Sequence, residues 1–389
     1  MHTETGGARF FCISIINPNA NHFTLYLMVT KSASNLISNL AKHDFNLLCL
    51  RVITHEHLTI AIVFFHIYWV VTLIMQSRDA NDLEANIKRA FSAHADAVAA
   101  GVRLHLIDSR KALLVTGRHS AKVNGSQAAV VEKLDELGIS WFLFDEVENN
   151  PSVATIRKAA ALALEKGVDF VIGIGGGSPM DAGKAMALLA ARDEAVDPAA
   201  IFSTAYTAAY PVVAVPTTAG TGSEVTQYSI LTNDAAETKT SIASPLIFPR
   251  LAFLDARYMN GLSQTVTINT AIDALSHAVE GMISVRASAI SDSLARQSIA
   301  MLAGCFGPMR EGTLSAQNRA DLLCASTLAG MVIANTGTTA VHAMGYSLTY
   351  YKNVDHGRAN GLLLPEFLAF TAKQAGERVQ SILACMGLA

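Results

Sequence analysis

One aspartate and three histidines in the carboxyl-terminal third of the chain have the composition of a transition-metal site. Beyond residue 119 the chain contains only three histidines, which are His277, His342 and His356. Asp273 precedes His277 by four residues, so in a helix both side chains project from one face. Single histidines in apolar helices are usually core residues, but three of them together with this Asp–His pair favour a ligand set. One carboxylate and three imidazoles suit Fe(II) or Zn(II) rather than magnesium or calcium.

Two polar loops predict a nucleotide-binding edge. GGGSPMD at 175–181 follows one apolar segment and opens into a predicted helix, and PTTAGTGSE at 216–224 follows another. Glycines let backbone N–H groups approach a phosphate, which the positive end of a helix dipole also attracts. A tight strand-to-helix turn would explain the first loop alone, and the GxGxxG motif of a standard Rossmann fold is absent. Two such loops at neighbouring strand ends nevertheless predict a dinucleotide site.

Short apolar strands alternate with helices through the middle of the chain, and helices alone follow. The predicted strands are 112–116, 139–144, 168–174 and 212–215, and the helices between them are 127–137, 151–166 and 179–191. The later helices are 265–283, 287–303, 316–334, 338–350 and a last one from about 362. Alternation indicates a parallel sheet covered on both faces. The predicted fold class is an α/β nucleotide-binding domain with a parallel sheet, followed by an all-α metal-binding domain.

Length and composition limit the class of protein. Of the 389 residues, 51% are hydrophobic and 16% are charged, which excludes a disordered protein. A net charge of −3 offers no basic surface for nucleic acid, and five cysteines without a CxxC pair favour a reducing, cytoplasmic location. The length allows two or three domains, which we place at 1–107, 108–258 and 259–389.

The amino-terminal region is apolar and carries no recognisable motif. Residues 58–75 form an 18-residue run without a formal charge, which just reaches the length of a transmembrane helix. Three interpretations are open: a membrane anchor, a buried element, or an upstream segment from a mis-assigned exon or start codon. The absence of clear patterning favours the third, so membrane contact is expected only if 58–75 is a real anchor. An amphipathic helix is predicted at 82–100.

Four motifs resemble those of the iron-dependent (group III) alcohol dehydrogenase family. They are GGGSPMDAGK at 175–184, PTTAGTGSEVT at 216–226, DALSHAVEG at 273–281, and VHAMGY with DHGRANGLLLP between 341 and 365. The resemblance extends over about 111–365, two thirds of the chain. It implies a two-domain fold with NAD(P) in the α/β half and a metal in the cleft. It also implies metal-assisted hydride transfer between NAD(P) and an alcohol, aldehyde or ketone.

The resemblance assigns roles to individual residues. It implies that the metal, Fe(II) or alternatively Zn(II), is bound by Asp273, His277, His342 and His356. It implies that the pyrophosphate side of the dinucleotide is held by Gly176, Gly177, Ser178 and Asp181, that Thr217, Thr218, Thr221, Thr226 and Lys239 line the cofactor, and that Asn150 lies near the adenosine. The expected partner is a small alcohol or aldehyde, and the chain is expected to form a homo-oligomer.

Two positions depart from the family pattern. The first strand ends in Gly117-Arg118, where relatives often carry an aspartate that binds the ribose 2′-hydroxyl and repels a 2′-phosphate. The missing carboxylate and the added guanidinium favour NADP(H). Tyr346, four residues after His342, stands where some relatives have a further histidine. We therefore expect the catalytic proton to move through water, the cofactor ribose or Tyr346.

The two ends of the chain differ from the family and leave alternatives open. The usual N-terminal strand pair with its glycine turn is not recognisable in 1–107, and relatives continue for several helices where this chain stops, so a truncated carboxyl terminus is expected. The alternative functions are a glycerol dehydrogenase or a hydroxyacid–oxoacid transhydrogenase on the same scaffold, or a non-catalytic fragment with a membrane-associating amino terminus. Dehydroquinate synthase is more distant because its ligand set differs.

Overall fold

The chain forms two units, Met1–Asp108 and Ser109–Ala389. The computed structural model describes residues 9–15, 23–29, 111–192 and 200–388. The apolar run at 58–75 and the helix predicted at 82–100 lie outside these residues. In the first unit, strands β1 (Arg9–Ile15) and β2 (Phe23–Val29) pair in antiparallel fashion. Sequence motifs did not predict this strand pair.

A five-stranded parallel sheet with strand order β4-β3-β5-β6-β9 is the core of the second unit. Its strands are β3 (Lys111–Gly117), β4 (Ser140–Val147), β5 (Phe170–Gly175), β6 (Val212–Pro216) and the short β9 (Leu251–Ala252). The three central strands are buried along almost their whole length, as expected for runs of Val, Ile, Leu and Ala in a parallel sheet. The predicted parallel sheet is therefore confirmed, and β5 and β6 are direct neighbours within it.

In the described residues, four helices connect these strands, namely α1 (Ser120–Val123), α2 (Ser126–Glu136), α3 (Val153–Lys166) and α4 (Gly177–Ala190). Helix α3 begins and ends as its sequence predicts, because the Ser152 side chain accepts the N–H of Thr155 and Gly167 adopts a left-handed conformation at the other end. Helix α4 begins two residues earlier than predicted, so the glycine-rich loop forms its first turn.

An antiparallel hairpin that the sequence pattern did not predict lies beside α4. Its strands are β7 (Tyr228–Asn233) and β8 (Thr238–Ala243). Most of their residues are polar, and the buried hydrophobic ones are only Leu231 and Ile242, so the apolar signal of a strand is missing. The Ser229 hydroxyl donates to the Asp181 carbonyl at 2.7 Å and ties the hairpin to α4. Lys239 lies on β8, so the hairpin positions one of the predicted cofactor residues.

Five helices complete the unit and confirm the predicted all-α region. They are α5 (Gln264–Ile283), α6 (Ala289–Glu311), α7 (Ala316–Thr336), α8 (Ala340–Lys352) and α9 (His356–Cys385), and short 3₁₀ helices occur at Ser223–Val225, Asp234–Ala236, Pro245–Ile247 and Ala256–Met259. Two predicted boundaries were wrong. Helix α6 runs past its internal glycines to a left-handed cap at Gly312, and α9 begins at His356 rather than near 362. The proposed domain division at 258 falls inside the last 3₁₀ helix and stays a prediction.

Within the described residues, we find no single helix with the length and hydropathy needed to cross a membrane. Helices α7 and α8 satisfy the two criteria only jointly, as a pair bent by 109°.

Candidate metal centre and nucleotide-binding loops

The four predicted metal ligands come from three helices that meet at one buried place. Asp273 and His277 lie one turn apart on α5. His342 lies in the first turn of α8, and His356 is the first residue of α9. The first three side chains are almost fully buried, whereas that of His356 is 24% exposed. The structure thus brings together residues that are distant in sequence.

Asp273 is the centre of this cluster. Its Oδ1 atom lies 3.5 Å from Nε2 of His342, 3.6 Å from Nε2 of His356 and 4.0 Å from Nε2 of His277. Ligand atoms about 2.1 Å from a tetrahedral ion lie about 3.4 Å from one another, so the two shorter separations fit a shared metal. The ligand atoms of Asp273, His342 and His356 all lie within 4.8 Å of one another.

His277 lies at the side of this group of three. Its ring stacks on the ring of His342, with centroids 4.5 Å apart and planes inclined by 15°. We retain it as the fourth proposed ligand because its Nε2 atom faces the same carboxylate oxygen of Asp273.

Burial and the shared carboxylate set the protonation of the cluster. Burial lowers the pKa of His277 to about 4 and that of His356 to about 3, although Asp273 opposes both shifts. Burial also disfavours charge on His342, but hydrogen bonds to Asp273 and Glu280 outweigh it and raise its pKa to about 9. Burial raises the pKa of Asp273 as well, but the histidines hold it well below its usual range. His277 and His356 are therefore neutral at neutral pH, whereas His342 gives up a proton when a metal binds. The resulting set of one carboxylate and three neutral imidazoles fits divalent iron or zinc.

Two buried polar residues that the sequence analysis did not single out touch the ligands. Asn360 donates from Nδ2 to Oδ1 of Asp273 at 3.0 Å, and Nδ2 lies 3.1 Å from Nε2 of His342. Glu280 contacts the other ring nitrogen of His342, Nδ1, through its Oε2 atom. The sequence signal for them is weak: Glu280 follows Asp273 by seven residues of one predicted helix, whereas Asn360 follows His356 by four residues that were not predicted to be helical.

Tyr346 and Lys239 lie next to the proposed ligands. The Tyr346 ring stacks on that of His356, with centroids 5.5 Å apart and planes inclined by 27°. The Lys239 ammonium nitrogen is 5.8 Å from the centre of the Tyr346 ring. Burial, together with Asp273 and Asp181, raises the pKa of the Tyr346 hydroxyl, whereas burial lowers the pKa of Lys239 to about 8. Tyr346 therefore keeps its proton at neutral pH.

The two polar loops lie together at the carboxyl ends of β5 and β6. A Cβ atom on Gly176 would lie 3.2 Å from Oγ1 of Thr218, and one on Gly177 would lie 2.6 Å from Cγ2 of Thr221. Larger side chains would therefore fill the space between the loops. Because α4 begins at Gly177, the first N–H groups of that helix lie at the same place. The glycines therefore let the two loops approach each other closely, and the N–H groups at the start of α4 are the feature that fits a pyrophosphate.

Asn150 and Gly117 lie at the carboxyl ends of the adjoining part of the sheet. The N–H of Asn150 donates to the Ser178 hydroxyl oxygen at 3.2 Å, and its carbonyl accepts from the Thr232 hydroxyl at 2.8 Å. Asn150 adopts a left-handed conformation with φ of 58°. Gly117 ends β3, which pairs with β5. The structure thus places Asn150 against the glycine-rich loop and Gly117 on the neighbouring strand.

Two of the predicted cofactor residues form hydrogen bonds within the protein, and a third is buried. The Asp181 carboxylate accepts from the Ser223 hydroxyl at 2.7 Å and from a backbone N–H of β7 at 3.0 Å. Thr226 accepts from the Lys184 ammonium through its carbonyl at 2.9 Å and its hydroxyl at 3.3 Å. Thr217 is 1% exposed. Contact of these three residues with a cofactor stays a prediction.

Two family models match this chain, one over the segment with the nucleotide-binding loops and one over the segment with the proposed metal ligands. The family model for "Iron-containing alcohol dehydrogenase" matches residues 92–256, and that for "Fe-containing alcohol dehydrogenase family, C-terminal" matches 267–389. The lactaldehyde reductase of Escherichia coli K12 is 33% identical over 281 residues, which cover 72% of this chain and 73% of that protein. The NADPH-dependent butanol dehydrogenase of Clostridium saccharobutylicum is 33% identical over 292 residues, 74% of each chain.

Solved structures agree with these matches. An iron-containing alcohol dehydrogenase from Thermotoga maritima has a TM-score of 0.68 and 42% sequence identity, and the alignment covers 72% of this chain and 77% of that one. The family models together span the glycine-rich loop, the hairpin and all four proposed metal ligands. This chain belongs to the iron-containing alcohol dehydrogenase family.

Proposed function

We propose that this chain binds divalent iron at its buried Asp–His cluster and interconverts a small alcohol with its aldehyde or ketone, using NADP(H). As a family member it is a metal-dependent oxidoreductase that exchanges hydride with NAD(P). The proposed ligands are Asp273, His277, His342 and His356. The main observation in support of this proposal is that three imidazole Nε2 atoms face one oxygen of a buried aspartate. Zinc suits the same donor set, and the choice of iron follows the family.

The residues around the cluster have distinct tasks in this reaction. A bound divalent metal supplies Lewis-acid polarisation of the substrate oxygen, and the nicotinamide carries the hydride. Neutral His277 and His356 offer lone pairs, and the Asp273 carboxylate supplies negative charge in a buried site. The Tyr346 ring stacks on that of the proposed ligand His356, so we propose that its hydroxyl gives a proton to the substrate oxygen during reduction and takes one back during oxidation. Water and the cofactor ribose are the alternative routes.

The proposed preference for NADP(H) rests on the end of β3. Gly117 presents no carboxylate there, and the exposed Arg118 follows it. A carboxylate at this place would repel a 2′-phosphate, whereas a guanidinium attracts it. The homo-oligomeric state and the cytoplasmic location stay predictions from the sequence.

Replacing Gly117 with aspartate is expected to shift the cofactor preference towards NAD(H). A Cβ atom at this position would have Val147 O as its nearest neighbour at 3.5 Å, which is an ordinary contact, so the backbone accepts a Cβ atom here without a clash. Placing like charges together costs on the order of 1.4 kcal/mol or more, so the NADP/NAD ratio of kcat/KM should fall at least about tenfold. Arg118→Ala, which removes charge without adding a carboxylate, should lower the ratio less. An unchanged ratio in Gly117→Asp would contradict this account.

Metal content and cofactor oxidation test the proposed function. The purified full chain, loaded with Fe(II) under anaerobic conditions, should hold about one metal ion and oxidise NADPH in the presence of a short aldehyde. Parallel loading with Zn(II) decides between the metals. A panel that adds glycerol and hydroxyacid–oxoacid pairs separates the two alternative enzymes. A folded chain that neither retains metal nor oxidises NADPH with any member of the panel would refute the proposal.

A further inference from the structure

Glu280 is a fully buried carboxylate on the face of α5 that carries the proposed ligands. It follows Asp273 by seven residues and His277 by three, which is about two turns and one turn of the helix. A carboxylate is costly to bury unless hydrogen bonds satisfy it. Its partners therefore indicate what this residue does.

The two carboxylate oxygens of Glu280 have different partners. Oε1 accepts from the N–H and the hydroxyl of Thr339, each at 2.7 Å, and from the N–H groups of Val341 and His342 at 3.1 and 3.4 Å. These groups lie at the start of α8, where backbone N–H groups have no partner within the helix. Oε2 contacts Nδ1 of the His342 ring. One oxygen thus caps α8, and the other holds a proposed metal ligand.

We infer that Glu280 is a positioning residue that keeps the Nε2 lone pair of His342 directed at the metal. A neutral imidazole that donates its N–H from Nδ1 carries its lone pair on Nε2, so metal binding requires His342 to lose its Nε2 proton and keep the one on Nδ1. In His342 it is Nε2 that faces Oδ1 of Asp273, at 3.5 Å. Replacing a carboxylate that holds a metal-binding histidine in this way commonly weakens metal affinity by about 10- to 100-fold. The inference rests on the proposed function, because it requires His342 to be a ligand.

The competing role for Glu280 is to cap α8 and nothing more. Glutamine separates the two roles, because only one end of its amide accepts hydrogen bonds. If the amide oxygen caps α8, the amide NH₂ faces Nδ1 and places the proton of His342 on Nε2, which blocks coordination. If the amide is turned round, NH₂ meets the N–H donors of α8, which it cannot pair. Thr339→Val is the matched control, because it removes one donor to Oε1 and leaves the contact between Oε2 and His342 in place.

Metal titration of the full chain tests this inference. The native protein and the Glu280→Gln, Glu280→Asp and Thr339→Val variants are stripped with a chelator and titrated with Co(II), whose visible absorption reports the ligand geometry. Glu280→Gln should raise the dissociation constant by about 10- to 100-fold and alter the spectrum. Thr339→Val should change the dissociation constant by less than about threefold. Glu280→Asp should lie between them, because it keeps two acceptor oxygens at a shorter reach.

Several results would overturn the inference. Native affinity in Glu280→Gln would do so, and so would a loss in Thr339→Val as large as that in Glu280→Gln, since capping would then explain both. If Glu280→Gln does not fold by circular dichroism, native affinity in folded Glu280→Asp would do the same. If the native chain itself bound no metal, the proposed function would fail and the inference with it, whereas the ratios among variants test the inference alone.

Discussion

Replacing Asp273 with alanine is expected to abolish metal retention and to reduce turnover about 1,000-fold or more. Asp273 is the only anionic member of the proposed ligand set, and all three imidazoles face its Oδ1 atom at 3.5 to 4.0 Å. Loss of the metal removes Lewis-acid assistance worth several kcal/mol, and about 4 kcal/mol corresponds to that factor in rate. Nucleotide affinity should change little, because the glycine-rich loop lies between β5 and α4.

Metal content after dialysis, the rate of NADPH oxidation and the dissociation constant for NADPH measure this effect. Asp292→Ala is a suitable control, because it removes a carboxylate on α6 that pairs with Arg378 rather than with the proposed ligands. Metal retained stoichiometrically by Asp273→Ala would contradict the ligand assignment. An equal loss of metal in both variants would point to general destabilisation instead.

The ligand set could be proposed from the sequence because histidine is rare in the second half of the chain. Helical spacing predicts that Asp273 and His277 lie on one helix face, and the sequence beyond residue 119 offers only two further histidines as ligands. The position of His356 in the fold was not predicted, since the sequence pattern indicated a start of α9 only near residue 362. In the structure His356 opens α9, and the next residue, Gly357, lies in close contact with Asn269 of α5. Such a contact is a property of packing and is not encoded in the local pattern.

The residues that support the ligands were harder to predict than the ligands. Glu280 stands 62 residues before His342, whose ring it contacts, and the two are on different helices. A glutamate in an apolar helix is ambiguous until its partner is known, because the same residue could lie at a surface or an interface. Asn360 poses the same difficulty, since it lies on α9 and donates to Asp273 on α5. Only tertiary structure supplies these pairs.

The direction of polar side chains near the glycine-rich loop was also not predictable. The resemblance places Asp181 at the pyrophosphate, which stays a prediction, and in the structure its carboxylate accepts hydrogen bonds from Ser223 and β7. The neighbouring Lys184 ammonium lies 2.5 to 3.3 Å from five oxygens of Ser223, Thr226 and Tyr228, and burial lowers its pKa to about 8. These partners belong to the second loop and to the hairpin that follows it. Because the hairpin strands are mostly polar, the pattern predicted neither the hairpin nor its contacts.

Replacing Gly357 with alanine is expected to destabilise the protein and to weaken metal binding together. A Cβ atom at this position would lie 1.8 Å from the carbonyl oxygen of Asn269 and 3.2 Å from Cβ of Asp273. The start of α9 would therefore have to move away from α5 and carry His356 with it. Overpacking of this kind typically costs about 1 to 3 kcal/mol of the free energy of unfolding. Displacement of one ligand should also raise the metal dissociation constant by about tenfold or more.

Urea denaturation of the metal-free protein and metal titration measure the two consequences separately. Gly304→Ala on α6 is the matched control, because a Cβ atom there has no other atom within 4 Å. Its alanine should raise the free energy of unfolding by up to about 1 kcal/mol through helix propensity, with unchanged metal affinity. If Gly357→Ala lost stability but bound metal like the native chain, the close approach of Gly357 to Asn269 would stabilise the fold without determining the position of His356. If it matched the native chain in both, α9 would have to approach α5 less closely than this structure shows, and the place of His356 among the ligands would lose its main geometric support.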